Sequence, residues 1–152
     1  DVYKTQGART DCYFIDLPKH VTQAQFIEAF YTSRLFKVER LILALVARRP
    51  STDTQAKNLG HGELDNFAAW SVEEQTQEQL LLCDFLGKTR SWLMSVPRDD
   101  DSSTRLYFGS AVIPKRSTTT TAQFGWAFNA LGGFHHVYSK ALLKAACSRL
   151  SR

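Results

Sequence analysis

Two charged residues, Asp84 and Arg90, interrupt an apolar stretch on either side of residues 87–88. A Gly-Lys pair between two apolar runs is typical of a tight β-hairpin, whose strands would bring the two side chains near one another. On a strand, Asp84 shares a face with Leu80 and Leu82, so its charge must be paired or lie near water. The pattern allows two interpretations: a structural ion pair, or a functional pair whose guanidinium binds a ligand's carboxylate or hydroxyl.

A second group with potential chemistry is the pair His135-His136, at the start of the last predicted helix. Neighbouring helical residues point about 100° apart, so both imidazoles cannot readily bind one metal ion. His135 is therefore either a histidine at the edge of the core or a general acid or base at a cavity mouth. His61-x-Glu63 lacks the P-C-x-x-C partner of zinc deaminases. We predict no metal site and, without a phosphate-loop or dinucleotide motif, no cofactor.

The sequence is rich in aromatic residues, with ten Phe, five Tyr and three Trp. Several lie on predicted strands or on the last helix. There they either pack in an ordinary core or line a pocket, and the two roles are compatible. The candidate ligand-binding residues are Trp70, Trp92, Tyr107, Phe108, Phe134 and Tyr138.

The first half of the chain begins with an apolar run at 12–17, which predicts a strand. Two Thr-x-x-Gln capping boxes follow, at 22–25 and 52–55. In this motif the threonine hydroxyl and the glutamine side chain each bind a free N–H at the helix start. They predict helices over about 23–32 and 53–59.

A longer helix is predicted between these two, over about 34–48, because apolar residues recur at steps of three and four. We expect this apolar stripe to face the core and the basic residues to lie on the opposite face. The stripe consists of Leu35, Val38, Leu41, Ile42, Leu45 and Val46, and the basic residues are Arg34, Lys37, Arg40 and Arg48.

From residue 67 the hydrophobic period changes, and short turns separate four apolar segments. Such short connections force neighbouring strands to be antiparallel. The predicted strands cover 67–74, 78–86, 89–97 and 103–114. A long C-terminal helix ends the chain. The order β-α-α-β-β-β-β-α indicates one α+β domain over residues 1–152, with an antiparallel sheet against that helix.

Length, charge and cysteine content exclude several classes of protein. The 152 residues carry a net charge of +4, which is mild, and no nucleic-acid-binding motif is present. No apolar run approaches the ~18 residues that span a bilayer. Three scattered cysteines are expected to be reduced and buried, which favours the cytoplasm. The chain begins with Asp1 rather than Met, so we expect an upstream segment. Whether that segment includes a targeting peptide stays open.

The element order resembles the START-like (SRPBCC, or helix-grip) superfamily, and local sequence is similar to a bacterial family of uncharacterised proteins. The similar segments are FYTSRLFKVERLIL, QLLLCDFLGKTRSWLM, TRLYFGSAV and LGGFHHVYSKALLKAA. The resemblance covers nearly the whole chain. It implies a curved sheet that wraps the C-terminal helix and often leaves an apolar cavity between them. Full START domains have more than the four strands found here after the helices.

Three functions are compatible with these features. The first is binding of a small apolar or amphipathic ligand between the sheet and the C-terminal helix. The second is a cyclase, isomerase or hydratase that uses His135, Asp84 and Arg90 as acid, base and orienting groups. The third is a non-catalytic interaction module whose basic helix face meets an acidic partner or an anionic membrane. The sequence leaves the oligomeric state open.

Overall fold

The computed structural model describes residues 9–98, 102–113 and 135–152, with the backbone alone for Arg9, His135 and His136. The strands are β1 (Arg9–Leu17), β2 (Asn66–Phe67), β3 (Trp70–Gln75), β4 (Gln79–Asp84), β5 (Thr89–Arg98) and β6 (Ser103–Val112). The helices are α1 (Gln23–Tyr31), α2 (Arg34–Val46), α3 (Asp53–Gly60) and α4 (His135–Leu150). The predicted α+β class and the C-terminal helix are confirmed. Within these residues, no helix is both long and apolar enough to cross a bilayer.

The strands form one antiparallel sheet in the order β1-β6-β5-β4-β3-β2. Strands β2 to β6 follow one another as a meander, and β1 pairs with β6 at the far edge. The predicted hairpin between β4 and β5 contains Gly87 at a φ of 66°. Glycine adopts this left-handed conformation without the steric cost of a side chain.

Both predicted capping boxes are present. The Thr22 hydroxyl accepts from the Gln25 N–H at 3.2 Å, and the Gln25 side chain accepts from the Thr22 N–H at 3.0 Å. Thr52 and Gln55 repeat the pair at 3.2 and 2.9 Å. These local contacts fix where α1 and α3 begin, since they bind backbone N–H groups that have no partner inside the helix.

The core lies between one face of the sheet, called the inner face because the helices cover it, and helices α1 and α4. Phe30 on α1 packs at its centre, with ring centroids 4.7 Å from Phe108 and 5.1 Å from Tyr31. Helix α4 packs against α1 and β1. Its buried residues are Ser139, Leu142, Leu143, Ala146 and Cys147.

The three cysteines are unpaired. Cys83 and Cys147 are buried, as expected, whereas Cys12 is exposed. Cys12 lies opposite Gly109 on the outer face of the sheet, away from the described helices, which cover the inner face. The expectation that all three thiols are buried is therefore wrong for this edge strand.

Helix α2 is rotated about its axis relative to the prediction. Arg34, Lys37 and Arg48 are exposed as expected, but most of the apolar stripe is exposed as well. Five residues of its predicted core stripe are 52–73% exposed: Val38, Leu41, Ile42, Leu45 and Val46. Arg40, predicted on the outside, is 8% exposed. Its guanidinium donates to the Asp53 carboxylate and to the Ser51 carbonyl, both at 2.6 Å. An amphipathic pattern separates two faces of a helix but does not define which one faces the core. Here the hydrogen bonds from Arg40 to Ser51 and Asp53 hold the Arg40 side of α2 inward.

Candidate functional site

A row of polar side chains crosses the inner face of the sheet. Asp11 on β1 lies opposite Ser110 on β6, which lies opposite Ser91 on β5. The Ser110 hydroxyl donates to the Asp11 carboxylate. All three residues are partly exposed, whereas Leu93 and Phe108, the next inward-facing pair, are buried. The polar row (Asp11, Ser91 and Ser110) is therefore less well covered than the core beside it.

A second polar group comes from the helices. The Tyr138 hydroxyl on α4 donates to the Glu39 carboxylate on α2. Burial raises the pKa of Glu39 to about 7, and the hydrogen bond from Tyr138 offsets this only in part. The pKa of Tyr138 is raised as well, first by burial and then by the neighbouring carboxylate. At neutral pH, Glu39 is therefore a mixture of its neutral and ionised forms.

Tyr31 on α1 connects the two groups. Its side chain is buried, and its hydroxyl approaches Ser91 and Glu39 but makes no hydrogen bond of normal geometry with any described residue. The pKa of this phenol is raised, mainly by burial. Buried polar groups are almost always hydrogen-bonded, because an unmade bond costs about 1–3 kcal/mol. The Tyr31 hydroxyl therefore leaves a hydrogen bond unmade at the junction of the two polar groups, close to Ser91.

The apolar boundary of this region includes Trp70 at the start of β3. Its ring is partly exposed and lies 5.7 Å from that of Phe36 on α2. Trp70 lies opposite Asp84 in the β3–β4 pair. An indole that is only partly covered, beside polar groups, suits contact with the apolar part of a ligand.

Asp84 closes the hairpin that follows it. One carboxylate oxygen accepts from the Lys88 N–H at 2.6 Å and from the Thr89 N–H at 3.0 Å. The other oxygen is buried without a hydrogen-bond partner among the described residues. Asp84 shares the inner face with Leu80 and Leu82, as the alternation predicts. Its carboxylate is stabilised by hydrogen bonds from backbone amides rather than by a cation.

The predicted pairing of Asp84 with Arg90 is wrong. In the sheet Arg90 lies opposite Cys83, so it points to the outer face while Asp84 points inward. The Arg90 guanidinium instead binds Glu73, at 2.8 and 2.9 Å. Spacing across a hairpin brings strands together, but register decides which face each residue takes. The two residues therefore do not converge in one site. The geometry does not support the cyclase, isomerase or hydratase hypothesis, which requires both side chains in one pocket.

The other candidate residues are divided between the two faces. Trp92 and Tyr107 lie on the outer face, with rings 6.1 Å apart. Phe134 lies outside the described residues, and the side chain of His135 is not described. The candidates on the inner side are Trp70, Phe108 and Tyr138. Of these, Phe108 is covered by Phe30 and belongs to the core.

Sequence reasoning missed Glu39 and the polar row. One signal in the sequence could have identified Glu39. It is the single acidic residue between positions 34 and 49, in a segment that is otherwise basic or apolar. The row itself is assembled from three distant strands, so no local spacing reveals it. Among the described residues, no three His, Cys, Asp or Glu side chains are grouped as ligands of one metal ion.

Comparison with known proteins adds little to this geometry. No family model matches the chain, and no curated protein matches it. Among solved structures, it is similar to the quaternary ammonium Rieske monooxygenase CntA, in complex with an inhibitor, at 9% identity and a TM-score of 0.38. The similarity covers 93% of this chain and 38% of that one, so this chain spans well under half of that protein's length. A similarity of this size carries no argument about family or activity.

The raised pKa of Glu39 predicts how stability depends on pH. A carboxyl whose pKa is higher in the folded than in the unfolded protein favours folding while it is protonated. That contribution is complete below the ordinary glutamate pKa of 4.5 and is lost as pH rises through a pKa of about 7 for Glu39. We expect Glu39→Gln, which keeps an acceptor for Tyr138 without a charge, to gain about 3 kcal/mol relative to the original protein as pH rises over this range.

Urea denaturation of both proteins at several pH values would measure this gain. The difference between the two curves cancels the titration of all other groups, and it should level off above about pH 8. Parallel curves would show that the Glu39 carboxyl is solvated rather than buried.

Proposed function

We propose that this chain binds a small, neutral, amphipathic molecule between the inner face of its sheet and helices α2 and α4. The observation that carries the proposal is the partly open polar row beneath a buried Tyr31 hydroxyl that has no partner among the described residues. A ligand oxygen beside the Tyr31 hydroxyl would accept its hydrogen bond. The apolar part of the ligand would lie against Trp70.

The charges at the site favour a neutral ligand over an anion. Asp11 and Glu39 are both acids, and Arg90, the cation expected to hold a carboxylate, lies on the outer face. A carboxylate ligand would face like charges in a partly dry environment, which is costly. An alcohol, ketone or amide could accept from Tyr31 and bond the serines of the polar row without that cost.

We also propose that the chain is a START-like domain. The support is the order of elements, from a first strand through helices and an antiparallel meander to a long C-terminal helix, together with the segments that resemble that superfamily. Placement of a ligand between the sheet and the last helix agrees with this assignment. Fold membership alone does not define the ligand.

Two probes of matched length test the ligand's chemistry: 2-decanol and decanoate, titrated calorimetrically into the protein at neutral pH. We expect 2-decanol to bind at least about tenfold more tightly, since the acids of the site disfavour the carboxylate. Tyr31→Phe should weaken binding of 2-decanol about fivefold, the value of one hydrogen bond. Tyr107→Phe, the same change on the outer face, should leave both affinities unchanged.

Native mass spectrometry of the gently purified protein provides a separate test, because a bound compound would add a defined mass. Equal affinity for the two probes, or a Tyr31→Phe variant that binds 2-decanol normally, would contradict the proposal. Circular dichroism of each variant would confirm that it is folded.

A further inference from the structure

The exposed side of helix α2 is an apolar surface with basic residues at its ends. The apolar face of α2 (Val38, Leu41, Ile42, Leu45 and Val46) is 52–73% exposed. Arg34 lies at its N-terminal end and Arg48 and Arg49 follow its C-terminal end, all three exposed. A soluble domain rarely leaves so many neighbouring aliphatic residues in water, and such a patch usually marks an interaction surface.

The charges that α2 itself carries are almost all positive, and Asp53 at the start of α3 pairs with two of them, Lys37 and Arg40. Glu39 is the single acidic residue between positions 34 and 49, and its carboxyl turns away to bind Tyr138. Residues 135–152 contain no acidic residue at all, and α4 exposes Lys140, Lys144 and Arg149. The Glu39–Tyr138 bond places the start of α4 beside α2. The two adjacent helices therefore present positive charge without a negative side chain of their own.

Helix α4 also exposes an aliphatic side chain close to α2. Val137, which precedes Tyr138, is 70% exposed. Since Tyr138 binds Glu39 in the middle of α2, Val137 lies near the same junction of the two helices. Aliphatic side chains and cations thus occur together on both helices.

We propose that the apolar face of α2 docks on the surface of an anionic lipid bilayer. Its aliphatic side chains would enter the boundary between headgroups and acyl chains, and the flanking arginines would bind lipid phosphates and carboxylates. Charge complementarity selects this occupant. A second copy of the chain would instead bring two basic surfaces together, which is electrostatically unfavourable. This inference stands on residues separate from the ligand site.

Flotation with large unilamellar vesicles tests the docking. Vesicles of phosphatidylcholine with about 30 mol% phosphatidylserine should bind the protein, and pure phosphatidylcholine vesicles should bind it much more weakly. Raising NaCl from about 50 to about 500 mM should weaken the binding, because salt screens the arginines. Arg48→Gln with Arg49→Gln should lower affinity for the anionic vesicles about fivefold or more per residue.

The decisive variant combines Leu41→Gln and Leu45→Gln. Both residues are exposed, so the variant should fold normally and lose at least about tenfold in vesicle affinity. Phe14→Gln is the matched control, since Phe14 is 55% exposed on the opposite face of the sheet, and it should bind as the original protein does.

Three results would overturn the proposal. The first is no binding to anionic vesicles, and the second is a Leu41/Leu45 double variant that binds as tightly as the original protein. The third is a Phe14→Gln variant whose binding is weakened as much as that of the double variant. Light scattering of the same samples identifies the alternative occupant. A dimer that the double variant dissociates, without vesicle binding, would assign the face to a second copy.

Discussion

Replacing Phe30 by alanine is expected to lower the free energy of unfolding by about 3–5 kcal/mol, the usual range for removing a buried ring. Phe30 is 1% exposed. Its ring lies 4.7 Å from Phe108 on the sheet, 5.8 Å from Phe36 on α2 and 6.1 Å from Phe26 on its own helix. The substitution would leave a cavity where α1, α2 and the sheet meet, and well-packed surroundings collapse only in part.

Urea denaturation would measure this loss, with an unchanged denaturant slope showing that the transition is still two-state. Phe85→Ala is the control, because Phe85, which follows β4, is 44% exposed. This variant should lose about 1 kcal/mol or less. If both variants lost the same small amount, the helices would be only loosely attached to the sheet.

Arg40→Met is expected to cost about 3 kcal/mol, although it places an apolar side chain in the interior. Arg40 donates to the Ser51 hydroxyl at 2.9 Å and to the Ser51 carbonyl and the Asp53 carboxylate at 2.6 Å. A longer contact, at 3.4 Å, reaches the Tyr31 carbonyl. Methionine fills similar space but leaves these acceptors without their donor, and hydrogen bonds to charged groups are the stronger ones.

Lys37→Met provides the matched control for Arg40→Met. Lys37 lies on the same helix and binds the same Asp53 carboxylate, at 2.5 Å, but both of these side chains are nearly half exposed. An exposed ion pair contributes about 1 kcal/mol or less. Equal losses for the two variants, measured by urea denaturation, would mean that burial of Arg40 does not matter. The orientation of α2 would then need another explanation.

The sequence by itself determined the local features of this protein. The two capping boxes define the starts of α1 and α3, because their hydrogen bonds join residues three apart. Gly87 defines the β4–β5 turn through a backbone conformation that glycine favours. Alternation places Asp84 on the inner face with its apolar neighbours. Each of these follows from interactions within a few residues, so a single segment contains the information.

Only the tertiary structure decided which face of α2 turns inward, what binds Arg90 and where the polar site lies. The amphipathic pattern of α2 is the same whether its apolar stripe faces the core or solvent. The contacts of Arg40 with Ser51 and Asp53 hold the Arg40 side of the helix against the protein, so the stripe faces solvent. Arg90 binds Glu73 because the register between β4 and β5 turns it outward. The site joins strands and helices that are distant along the chain, and its charges and burial exist only once those elements have packed together.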